Sequence, residues 1–287
     1  MVYRKSFCAI ALSAALTMTI SGVKAADDAK YPNWKGQWSR EVMRGVGSAN
    51  NPGFDPTKPF GLAQGIPFTP EYQAIAEASI ADQAAGGYGN FPSLFCLPHG
   101  MPLVMIAFAP IELIVTPETT YVLINTIDHN RRIFTDGRDW PEEIAPTFLG
   151  YSIGRWIEDG DGRYDVLEVE TRGFKGPRSY DASGLPLHHD NQSIVKERLH
   201  LDKANPNILH NEITVIDHAL AHPWTLDKKY LRNPNPRPVW GEMACAEANP
   251  HVLVGKENYM VSGDGYLMPV KKNQAPPDLR YFQSSQK

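Results

Sequence analysis

Glu197 is the first residue whose setting points to chemistry. In Ser193-Ile-Val-Lys-Glu-Arg-Leu-His-Leu201, a period of two puts Glu197 on one face with Val195, Leu199 and Leu201. Lys196, Arg198 and His200 occupy the other face. A carboxylate among aliphatic neighbours must be hydrogen-bonded, paired with a cation or kept protonated. Such a setting generates acid–base chemistry, and it equally houses structural ion pairs. The candidate cations are Arg132 and Arg155, the latter sharing a face with Leu149, Tyr151 and Ile153. Asn211, in line with Leu209, Ile213 and Val215, adds an amide. An acid, a base and an amide on different strands suggest polar groups converging in an apolar cavity, which is how ligand pockets are commonly built.

The imidazoles come next. The chain has nine histidines, and two of them sit where a proton could be moved: His129 beside Arg131-Arg132, and His189 in a polar stretch just before the Glu197 strand. In the catalytic reading His129 or His189 transfers the proton, Glu197 tunes it, and Arg132 or Arg155 stabilises negative charge. Tyr151 and Asn211 would contact substrate. Asp136, in Thr135-Asp-Gly-Arg138, reads most simply as a turn residue bonded to local backbone; its functional version orients His129 or clamps Arg132.

No metal site is expected. His218-x-x-x-His222 has helical ligand spacing, but Pro223 and the preceding strand pattern argue against a helix there. Cys-x-x-Cys-His, His-Glu-x-x-His and Cys-x-x-Cys are all missing from the sequence, and so is a glycine-rich loop between strand and helix. No cofactor is therefore expected. Gly150-Tyr-Ser-Ile-Gly154 matches the nucleophile-elbow letters, but it runs into a strand and hairpin rather than a helix.

The elements that would hold these residues begin after an export signal. Arg4 and Lys5, the apolar run Phe7–Ile20 and Val23-Lys-Ala25 form the pattern of a secretory signal peptide over residues 1–25, so the expected location is the periplasm or the exterior. Its removal takes away three bases and no acids, moving the formal charge from -4 to -7. With no basic run, nucleic acid is not an expected partner. No second long apolar segment suggests a membrane span. Cys96 and Cys245 remain, and the spacing leaves a disulfide or two buried thiols open.

Residues 26–110 read as a proline-rich arm with a first strand and one helix, opened by Thr69-Pro-Glu71 and stopped at Gly86-Gly87. Residues 111–287 read as barrel core and C-terminal tail. Short strands are predicted at 111–115, 121–126, 131–134, 149–156, 164–171, 194–201, 208–216 and 224–231. Glu158-Asp-Gly-Asp-Gly162 is a strong hairpin signal. Consecutive hairpins point to an all-β fold: a single antiparallel lipocalin-like β-barrel, with a β-sandwich as the alternative. Gly36-Gln-Trp38 favours the barrel, because Gly-x-Trp opens the first strand of lipocalin-type barrels and its indole plugs one end.

The strings His129–Arg138, Pro146–Trp156, Val169–Phe174, Pro223-Trp-Thr225 and Cys96–Pro102 resemble a large family of secreted bacterial proteins. The resemblance implies secretion and a lipocalin-like barrel, and carries no activity with it. Two functions follow from the residues. One is a periplasmic enzyme using cofactor-free acid/base chemistry, as a lyase, hydratase, isomerase or hydrolase, on an apolar or aromatic small molecule. The other is a lipocalin-like carrier for such a molecule.

Overall fold

The structure, a computed structural model, describes residues 30–40, 65–85, 87, 89–90, 97–106, 110–125, 129–176, 190, 192–241, 251–255, 257–262 and 264–277. The signal segment, most of the proline-rich arm, His189, Cys96 and Cys245 lie outside the described residues.

Nine strands close into one barrel: β1 (Gln37–Arg40), β2 (Ile111–Val115), β3 (Thr119–Ile124), β4 (His129–Phe134), β5 (Tyr151–Glu158), β6 (Tyr164–Arg172), β7 (Ile194–Leu201), β8 (Ile208–Ile216) and β9 (Trp224–Arg232). They follow chain order around the wall, and β9 pairs antiparallel with β1 to close it. An odd number of strands cannot close with every neighbour antiparallel. The obligatory parallel contact falls between β4 and β5, whose ladder holds two register pairs, Ile133↔Ser152 and Phe134↔Ile153. The antiparallel meander expected from the sequence is thus interrupted at one seam.

The seam has a local cause. A hairpin out of β4 would make β5 antiparallel; instead residues 135–150 cross over and deliver β5 in the same direction. Just before β5 the chain is held against the end of β6, with Thr147 bridging Phe174 and Thr147 N–H donating to Gly173 O at 3.0 Å. Gly150 permits this path. Its φ is +69°, and a Cβ there would lie 2.6 Å from Arg172 O and from the Phe174 ring. By contrast, the β5–β6 hairpin turns through Gly160 and Gly162, both at positive φ, as its Gly-Asp composition dictates.

Both barrel ends are covered. At one, Trp34 and Trp38 are fully buried. Trp34 packs on Trp156 at 5.0 Å between ring centroids, and Tyr31 meets the same indole edge-on. The Arg232 guanidinium lies 4.2 Å over the Trp38 ring, so first and last strands are joined across the closure as well as through their ladder. At the other end, α1 (Pro70–Ala84) is capped by the Thr69 hydroxyl, as its sequence predicts. Its leading segment is tied to the barrel by Thr69 N–H to Ala219 O and by Ala221 N–H to Pro67 O. The short α2 (Leu103–Ile106), in a stretch that reads as irregular, is wholly buried, and Met105 O accepts from the Tyr230 hydroxyl. Inward side chains form one continuous buried cluster, so a filled interior stands where the sequence suggested an open hollow.

The outer wall carries charge, with Arg155–Glu168 at 3.1 Å, Lys196–Glu170 at 3.6 Å and Arg198–Glu212 at 3.7 Å. A barrel in a membrane presents an apolar band there instead. Among the described residues no helix is long and apolar enough to cross a membrane. Beyond the barrel, the tail forms a second sheet of β10 (His251–Val254), β11 (Glu257–Val261) and β12 (Leu267–Pro269).

Candidate functional site

Among the described residues, six successive strands, β4 to β9, turn a polar side chain inward: Arg131, Ser152, Thr171, Glu197, Asn211 and Lys228. None is more than 3% exposed. Period-two alternation places them there: Glu197 lies between Val195 and Leu199, Asn211 between Leu209 and Ile213, and Lys228 between Leu226 and Tyr230. Register joins them in a belt, with Ser152↔Thr171 and Asn211↔Lys228 directly opposite.

Arg131 organises the belt. Its Nη1 donates to Glu197 Oε1 at 3.0 Å, and its Nη2 donates to Glu197 Oε2. The fork geometry of guanidinium suits this bidentate contact. Nε donates to Ser152 Oγ at 3.2 Å and Nη2 to Thr171 Oγ1 at 2.8 Å. The two hydroxyls lie 2.9 Å apart, so one donates to the other. Asn211 Nδ2 donates to Glu197 Oε1 at 2.9 Å, which leaves Asn211 Oδ1 as an acceptor with no hydrogen-bond partner among the described residues. Removing either member of so buried an ion pair strands the other charge, at a cost of about 3–5 kcal/mol.

Glu197 and Asn211 are therefore inside and joined, as expected, but the expected cations are not with them. Arg155 has a side chain 77% exposed and pairs with Glu168 on the outer wall, and Arg132 is exposed too. The partner is Arg131, one residue away. On β5 the inward face is Ser152, Gly154 and Trp156, while Tyr151, Ile153 and Arg155 point outward. Their apolar content has a different cause: Tyr151 is covered by Trp140 and Phe134, at 6.1 and 5.1 Å between centroids. Its hydroxyl accepts from Arg138 at 3.3 Å.

Asp136 is a turn residue. Its Oδ1 accepts from Arg138 N–H at 3.3 Å and from Nε at 2.9 Å, and that guanidinium holds the carboxyl below its ordinary range. His129 opens β4 opposite Ile124; its side chain, like the whole of His189, is outside what the structure describes. Among the described residues, no three histidine, cysteine or acidic side chains converge as a metal site. Sequence reasoning missed Ser152, Thr171 and Lys228. The signal was there, as a polar residue recurring at the same depth on consecutive strands.

A cleft reaches the belt at the β4–β5 seam. Where β4 and the chain entering β5 part, a groove of about 450 Å³ opens on the outer wall. Phe134, Phe148, Leu149 and Tyr151 form its apolar walls, and Arg131 and Ser152 lie at its floor. Asn130 and Arg132 line the β4 rim. A second groove, of about 440 Å³, is lined by Glu197 of the belt and by charges of the outer wall that already neutralise one another in pairs.

Fold and site together define a closed nine-stranded β-barrel with a buried polar belt and a seam cleft. No protein-family model matches the chain, and no curated protein matches it significantly.

Proposed function

We propose that the protein is a periplasmic or secreted small-molecule binding protein that holds an apolar or aromatic ligand in the β4–β5 seam cleft. The observation that carries this reading is the cleft itself, an apolar groove whose floor is Arg131 and Ser152 of the belt. Its volume of about 450 Å³ falls within the usual range for small-ligand sites, and a few oriented polar groups among aromatic walls is their usual composition. The export pattern of residues 1–25 and the resemblance to a secreted family support the compartment.

Binding is favoured over acid–base catalysis by the state of Glu197. Both its oxygens are engaged, by Arg131 and Asn211, and it is 3% exposed. A general base needs to reach the proton that it removes. Native mass spectrometry of the purified protein tests the reading: a co-purifying small molecule is expected, and Phe148→Ala should release it without lowering the melting temperature by more than a few degrees. A ligand retained equally by that variant would place the site elsewhere.

A further inference from the structure

We infer that the ligand of the seam cleft is an amphipathic anion, an aromatic or apolar body carrying an oxyanion that Arg132 binds; this rests on the seam cleft being the ligand site. The argument begins with how the barrel treats its arginines. On strands β4 to β7, Arg131 pairs with Glu197, Arg155 with Glu168, Arg172 with Glu170 and Arg198 with Glu212. In the crossover, Arg138 pairs with Asp136. Arg132 is the one arginine of those strands with no carboxylate partner among the described residues, and it stands on the cleft rim.

The cleft's composition carries the same sign. Among the described residues, two arginines line it and no acid does. Arg131 is neutralised by Glu197, so the uncompensated charge belongs to Arg132. Asn130 lies two residues earlier on the same face of β4 and brings an amide donor to the rim beside it. A guanidinium next to an amide suits an oxyanion, and the aromatic walls suit the body that carries it. A neutral apolar ligand would use the walls alone, and a cation would meet Arg132 as a repulsion.

A matched pair of fluorescent probes tests this. 8-Anilinonaphthalene-1-sulfonate carries an oxyanion on an arylamine body, and N-phenyl-1-naphthylamine is the same body without it. The sulfonate should bind about fivefold more tightly, as an exposed charge pair allows. Arg132→Gln should abolish that advantage while leaving affinity for the neutral probe and the melting temperature unchanged, and Phe148→Ala should weaken both probes. Equal binding of the two probes, indifferent to Arg132→Gln but weakened by Phe148→Ala, overturns the anion preference and leaves the cleft standing. If neither probe binds, or Phe148→Ala changes neither affinity, the cleft reading falls and the inference with it.

Discussion

Arg131 and Glu197 show how much a single buried pair can carry. Each is at most 3% exposed, and the pair also orders Ser152, Thr171 and Asn211. Arg131→Met should therefore destabilise the barrel by about 3–5 kcal/mol, because Glu197 would stay buried with only Asn211 to answer it. Glu197→Leu alone should cost a similar amount. The double variant should recover most of the loss, since apolar groups of similar volume often replace a buried pair with little penalty. Urea titration of the three variants measures this coupling. A double variant as unstable as the sum of the singles would mean that the belt is held by its packing and not by the pair. The carboxylate's burial was legible in the sequence, and its partner was not. Period two says which residues share a face but not which face is inside. On β5 the outer Tyr151 and Ile153 look more apolar than the inner Ser152 and Gly154, so composition pointed the wrong way.

The seam is where one element decides the character of its neighbours. Most hairpins were legible because turn residues punctuate alternating strands, and β2, β7 and β8 fall where the pattern predicts. The parallel contact was illegible because it depends on where residues 135–150 are anchored, which alternation does not encode. Gly150 is the position at which that anchoring is exposed to test. Its φ of +69° and the 2.6 Å approach of Arg172 O to an added Cβ make Gly150→Ala doubly unfavourable. The variant should lose about 1–3 kcal/mol of stability. More tellingly, its amide hydrogens at Ser152 and Ile153 should exchange faster than those of β7 and β8. A uniform loss of protection over the whole barrel would show that the seam is no weaker than the rest of the wall.

At the scale of the whole molecule, the parts outside the barrel are joined through α1. One side of the join is the capped segment at Phe68 and Thr69, bonded to Ala219 and bridged to Leu220. The other is Asp82, whose Oδ1 meets Lys271 Nζ at 2.7 Å, bringing the turn after β12 to the helix. Gln274 braces that turn, its Oε1 accepting from the Lys271 N–H at 3.0 Å and its amide donating to Asn258 O at 2.7 Å. The tail sheet itself escaped the sequence reading because its strands are short and largely exposed, so no alternation marks them. The tether has a definite pH window. The Lys271 ammonium, with help from the Gly89 N–H, lowers the Asp82 carboxyl, and the Asp82 carboxylate raises Lys271. The acid's contribution is present above its unfolded pKa of about 3.9 and is lost as pH falls through the lower folded value. The base's contribution is present below about 10.4 and is lost as pH rises through the higher folded value. Both side chains are about one-third exposed, so solvent screening limits the pair to about 0.5–1 kcal/mol. Asp82→Asn should accordingly lower stability by a constant small amount from about pH 5 to about pH 9, and by less below about pH 3.5. Limited proteolysis after β11 should accelerate in the variant over the same window. Cleavage rates that match wild type at neutral pH would mean that the tail sheet is held to α1 by something other than this ion pair.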